Sequence, residues 1–209
     1  MIYFGFIPKC LFVFSSWDSK LTEFLFAFHI CVPCNRLSKA HVLVCGLNGT
    51  TTEFCKNIVL AGVGSLSLMD DHMVTEDDLN ANFLIPPDES IYGGRSLAEV
   101  CCESLKDFNP MVRVSVEKGD PSLIDGEFLD KFDIIVVSGA SLKTNLFINE
   151  NCRKRSKRIA FYAIDCKDSC GEIFVDLQKH SYVQKKPAGE TEQQELTYPS
   201  LQVHDLGLE

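Results

Sequence analysis

The chain has 209 residues, 45% of them hydrophobic and 23% charged, a balance that excludes wholesale disorder and suits one domain with a tail better than two domains. Twenty Lys and Arg stand against 29 Asp and Glu, a net charge of -9, which is the wrong sign for coating a polyphosphate and argues against a nucleic-acid partner. Ten cysteines are too sparse for a disulfide scaffold, and several lie beside apolar neighbours such as Val44 and Phe54, the usage of a reducing compartment.

Residues 1–34 carry Phe4, Phe6, Phe12, Phe14, Phe24, Phe26 and Phe28, interrupted by Pro8, Lys9, Asp18, Lys20 and Glu23. No run reaches the ~18 apolar residues of a membrane span, and no positive charge precedes the apolar stretch as a signal peptide requires. Residues 1–35 are expected to be disordered and outside the core. From Ala40 the pattern becomes regular. HVLVCG (41–46) reads as a buried strand running into the turn GLNGTT, and Phe54, Ile58 and Ala61 then recur at helical spacing until Gly62 ends the helix. SLSLMD (65–70) is a second strand, completing a β-α-β unit. Beyond a loop with Pro86-Pro87 and Gly93-Gly94, Leu97, Val100, Cys101, Leu105 and Phe108 share one helical face before Asn109-Pro110 stops it. Strands follow at 112–118, 133–139 and 158–165, with a helix near 142–153, and GEIFVDL (171–177) pairs as an edge strand. The polar stretch 187–209 reads as a flexible tail. The alternation predicts an α/β, Rossmann-like fold: a mostly parallel sheet with helices on both faces.

The candidate chemistry centres on the first turn. Gly46 stands where the strand gives way to the helix, whose N-H groups would face an anion, and Gly49 follows in the same turn. Asp70, at the end of the second strand, is placed to accept hydrogen bonds from a ribose. In the strict G-x-G-x-x-G register the second and third glycines are Asn48 and Thr51, so the pattern admits both a nucleotide site and a structural turn. CVPC (31–34) has zinc-knuckle spacing, with Cys166 and Cys170 as a looser match, and ordinary thiols are the expectation. CRKRSKR (152–158) reads as the solvated end of a helix or as a basic import patch. None of the five histidines, His29, His41, His72, His180 and His204, has a Ser or Cys at a spacing that suggests a nucleophile.

The run from Arg36 to Asp88, holding NIVLAGVGSLSLMDD and VTEDDLNANFLIPPD, resembles the adenylation fold of ubiquitin-like-protein activating enzymes, and within them the small, regulatory subunits of the SUMO-activating enzymes in a plant-like form. The likeness continues through SLKDFNPMVRVSVEKGD, KFDIIVVSGAS, INENCR, FYAIDCKDSCGEIFVDL and HSYVQKK, covering 36–186. In that family an active adenylation half holds ATP with an Arg just past the DLN element and a Lys in the following G-x-x-K segment. Here those positions are Ala81 and Leu97, and the acidic magnesium ligand falls at Ser141. The resemblance therefore implies no catalytic residue of the chain's own, no metal, and a degenerate nucleotide site at Gly46, Gly49 and Asp70. It implies a heterodimer with the large catalytic subunit, where ATP and Mg belong, contact with SUMO through that complex, and a location in the nucleus and cytoplasm. Nucleic acid and membrane are not among the implied partners. Family members open with a YDRQIRLWG-like helix that 1–35 lack, and continue beyond LTYPSLQ, so the fold is expected to be incomplete and the chain truncated. The β-α-β unit and Asp70 also suit a dinucleotide-binding oxidoreductase, and an inert truncated isoform is the third alternative.

Overall fold

The computed structural model describes residues 11–14 (backbone only), 37–87, 94–167, 170–185 and 191–202. Strand β1 (Leu11–Phe14) is followed by β2 (His41–Cys45), α1 (Gly49–Leu60), β3 (Ser65–Met69), α2 (Glu76–Ala81), α3 (Leu97–Phe108) and β4 (Arg113–Val116). Next come a 3-10 turn (Pro121–Leu123), α4 (Gly126–Leu129), β5 (Ile134–Ser138), α5 (Leu142–Lys154), β6 (Ala160–Lys167) and β7 (Cys170–Asp176). The last two strands are β8 (Lys179–Lys185) and β9 (Thr191–Thr197).

Strands β6, β5, β2, β3 and β4 run parallel in that spatial order, β7 adds antiparallel to β6, and β1 adds antiparallel to β7. Successive residues of the central strands serve opposite cores. Val42, Val44, Ile134 and Val136 join Phe54, Ile58, Val100 and Leu105 of α1 and α3 on one face, while Leu43, Cys45, Ile135 and Val137 join Ile148 and Cys152 of α5 on the other. This double coverage explains why HVLVC and IIVVS are continuous apolar runs without alternation. The α/β, Rossmann-like, mostly parallel sheet read from the sequence is the observed architecture.

The helix ends obey local chemistry. Gly62, at φ 78°, gives its N-H to the Val59 carbonyl, and Val63 gives its N-H to that of Ile58, the paired bonds that close a helix over a left-handed residue. Ser96 caps α3 through the Glu99 N-H, and Ser141 caps α5 through that of Thr144.

The two ends of the chain depart from expectation. Within the segment 1–35 expected to stay off the sheet, Leu11–Phe14 pair with β7 in the register Leu11 to Phe174 and Phe14 to Gly171. An edge strand needs only an open ladder, which β7 offers. Within the tail expected to be flexible from 187, Thr191–Thr197 form β9 against β8, and Leu201 is buried in the α5-side core. Main-chain hydrogen bonds order β9 without an apolar face to announce it.

Candidate functional site

The sheet order reverses at β2: β3 lies on one side and β5 on the other. At such a switch point the loops leaving the strand ends diverge and open a crevice. Here it is a cleft of about 610 Å3, lined by the ends of β2, β3 and β5 and by Asp78, Leu97 and the 119–121 turn. Gly46, Asn48, Asp70 and Leu97 line it, as do Asp71, His72, Asp120 and Ser138.

Gly46 has φ 83°, and a Cβ there would run into the Ser138 carbonyl oxygen. Only glycine lets the turn pass so close to β5. Asn48 is the N-cap of α1. Its Oδ1 accepts the N-H groups of Thr50 and Thr51 at 3.1 Å each, and its Nδ2 donates to Ser138 Oγ at 2.6 Å. Thr51 Oγ1 completes the box by accepting the Asn48 N-H at 2.9 Å and donating to the Gly46 carbonyl at 2.8 Å. The donors with which a helix start would bind a phosphate are thus satisfied by the protein's own amide. Gly49 lies behind this turn, where a Cβ would meet the Ala81 carbonyl at 3.0 Å.

Asp70 ties two loops together: Oδ2 accepts the Leu47 N-H at 2.8 Å and Oδ1 the His72 N-H at 3.0 Å. Asp71 accepts the Gly119 N-H at 3.1 Å. Burial pushes the Asp78 carboxyl up, but hydrogen bonds from Thr75 and the nearby His72, 3.3 Å away, outweigh it and hold it below its usual range. Among the described residues that line the cleft there are four aspartates and no Lys or Arg. Such a field repels a triphosphate rather than neutralising it.

Of the positions that the resemblance marks for ATP contacts, Leu97 alone is among the described residues lining the cleft. Ala81 ends α2, exposed and away from the cleft lining; Leu97 lines the cleft but is 3% exposed and packs in the α1-side core. Ser141 is an exposed cap of α5 whose neighbours Ala140 and Thr144, not itself, reach the cleft. The described lining offers no Lys or Arg to hold the phosphates of ATP.

Elsewhere, four of the five basic residues of the string make ion pairs, Arg153 with Asp176, Lys154 with Glu150, Arg155 with Asp130 and Lys157 with Asp133, and Arg158 donates to the Lys179 carbonyl. CVPC lies outside the described residues. Among the described residues no three His, Cys, Asp or Glu side chains converge as metal ligands, and Cys45, Cys55, Cys101, Cys102, Cys152 and Cys166 are free thiols. The sequence reading missed Asn48 as a cap and Ser138 as its anchor. Asparagine before a helix is the signal that pointed to the first.

The ThiF family profile matches residues 24–176. SUMO-activating enzyme subunit 1A of Arabidopsis thaliana is 59% identical over 167 residues, 80% of this chain and 52% of the relative. Subunit 1B-1 from the same plant is 58% identical over the same span, and SUMO-activating enzyme subunit 1 of Homo sapiens is 34% identical over 151 residues, 72% of this chain and 42% of the relative. The chain spans about half the length of the curated relatives it matches. The likeness covers the parallel sheet and the cleft at its switch point, and it displaces the oxidoreductase reading: the chain belongs to the ThiF family.

Proposed function

We propose that the chain is the regulatory half of a heterodimeric SUMO-activating enzyme. In this role it supports ATP-dependent adenylation of SUMO, and the thioester step that follows, on a large catalytic subunit, in the nucleus and cytoplasm. The similarity to small subunits in plants and animals supports this reading. The observation that carries the non-catalytic part of it is the cleft: four aspartates, no lining Lys or Arg among the described residues, and a helix start already capped by Asn48. Gly46, Gly49 and Asp70 are then remnants of a nucleotide site, keeping the turn's shape after the phosphate chemistry has gone. ATP and Mg belong to the partner. Nucleic acid and membrane have no part in the proposal; among the described residues no helix is long and apolar enough to cross a membrane.

Three measurements test it together. Isothermal titration of the chain alone with ATP should give no tight binding, and low-micromolar affinity would overturn the degenerate-site reading. Co-purification with the large subunit should yield a heterodimer. Pyrophosphate exchange and a thioester gel should then show SUMO activation above that of the large subunit alone. A chain that folds but never captures the large subunit would be the inert isoform instead.

A further inference from the structure

A second cavity, about 290 Å3, lies beside the ends of β5 and β6 on the α5 face of the sheet, with Leu142, Phe174 and Leu201 among its apolar walls. Its polar side chains are Asp165, Glu172 and Asn145, and no Lys, Arg or His is among the described residues lining it. Asp165 and Glu172 face each other directly across the β6-β7 ladder, so their carboxylates stand side by side on one face. Asn145 is 6% exposed and its Oδ1 has no hydrogen-bond partner; Glu172 Oε1 is buried and equally alone. Asp165 Oδ1 accepts the Gly139 N-H at 2.9 Å, which holds that carboxylate at the cavity wall. Burial pushes both carboxyls up, and the Asp165 charge pushes Glu172 further. A buried acceptor left without a donor is rare and expensive in a native fold, and here two orphaned oxygens and a like-charged neighbour share one small space.

The missing complement is a cation that also tolerates apolar walls. A bare calcium ion takes about six to eight oxygens, more than three side chains provide, and an anion has the wrong sign. A lysine or arginine side chain matches both halves of the cavity, with an aliphatic stem and a charged donor head. We propose that this cavity receives one basic side chain, its ammonium or guanidinium seated among Asp165, Glu172 and Asn145 Oδ1 and its stem along Leu142, Phe174 and Leu201. The shared chemistry is an alkyl cation, carried by a polypeptide or by a free small amine. The inference is independent of the proposed subunit role.

The test is a titration of the full 15N-labelled chain with agmatine, with a blocked Gly-Arg-Gly peptide, with its neutral citrulline counterpart and with calcium chloride, following the Gly139 amide and the Asn145 side-chain amide. Saturable shifts are expected with agmatine or the arginine peptide and none with the citrulline peptide. Asp165→Asn and Glu172→Gln should each weaken binding by about tenfold or more, the size of a lost charge-assisted hydrogen bond. A tighter peptide than agmatine identifies a polypeptide source, and equal affinity a free amine. Because these near-isosteric variants remove charges that burial disfavours, both should fold. Wild-type binding should also weaken as pH falls and the two carboxyls protonate, a readout that needs no variant. Silence with both cationic probes, an equal response to citrulline, binding unchanged in both variants, or saturation by calcium alone would each overturn the proposal.

Discussion

At Gly46, positive φ and the closeness of the Ser138 carbonyl act together, so Gly46→Ala is expected to cost about 3 kcal/mol or more. Gly62 has a similar φ, 78°, but nothing within 4 Å of an added Cβ, so Gly62→Ala carries only the left-handed backbone penalty of about 1–2 kcal/mol. Urea unfolding of both variants measures the difference, and equal losses would show that the close approach to β5 is unimportant. Leu97 supplies a second case. The resemblance places a phosphate-binding lysine there, yet the side chain is 3% exposed in the α1-side core and sits at the positive end of α3. Leu97→Lys should therefore cost about 3 kcal/mol and leave ATP binding unimproved, because an ammonium on a side chain buried at a helix N-terminus is opposed by both desolvation and the dipole. A melt and a titration of the same sample check both halves. The sequence puts Gly46 and Asp70 at the strand ends that line the cleft, but it shows Asn48 only as a missing glycine and not as the amide that caps α1. What it could not find was the amide's second partner, since Ser138 lies 90 residues along the chain and only the sheet order brings the two together.

The elements are held to one another by a few polar junctions. Asp176, 1% exposed at the end of β7, accepts Arg153 Nε at 2.6 Å and Nη2 at 3.0 Å, Asn149 Nδ2 at 2.8 Å and the Gln178 N-H at 2.8 Å. This one carboxylate fastens α5 to β7 and fixes Gln178 at φ 56°. Asp176→Ala should cost about 3–5 kcal/mol, the loss expected when a buried pair is broken from one side, and a change below 1 kcal/mol in urea unfolding would deny the junction. At α2 the lever is pH. Asp78 accepts the Thr75 N-H at 2.9 Å and its hydroxyl at 2.6 Å, and its folded pKa lies below the unfolded value. Its contribution is thus present above the unfolded carboxyl's value of about 4 and is lost as pH falls through the lower, folded pKa. Amide exchange in α2 should accelerate across that acid window, and Asp78→Asn should flatten the dependence. Both α2 and the β8-β9 pair escaped the sequence reading for one reason. The six residues of α2 include none that is buried, and 193–197 of β9 are exposed or half-buried, so neither element writes an apolar period into the sequence. The strands of the central sheet, buried on both faces, write theirs plainly.

At the scale of the whole molecule, the two cores share the same central strands, and the segment after β9 closes one of them. Arg153, already bound to Asp176, donates to the Tyr198 carbonyl. The Tyr198 N-H returns to the Gln178 carbonyl at 2.7 Å, and the Leu201 N-H reaches Asn149 Oδ1 at 3.0 Å. Leu201 itself is 6% exposed, packed in the cluster that holds Ile148, Phe161 and Phe174. The chain beyond β9 is thus a strap across α5, anchored by backbone groups that no side-chain pattern betrays. Ending the chain after Thr197 would uncover apolar surface, strand the buried Asn149 Oδ1 and remove one acceptor from Arg153. Together these should lower the unfolding free energy by about 2–4 kcal/mol. Leu201→Ser in the intact chain isolates the apolar part and should account for about 1.5–3 kcal/mol of it. Urea unfolding of the full chain, the shortened chain and the substituted chain separates these terms. An unchanged midpoint for the shortened chain would mean that the strap rests on the α5 face without stabilising it. A large loss confined to the shortened chain would assign the effect to the backbone anchors rather than to the leucine.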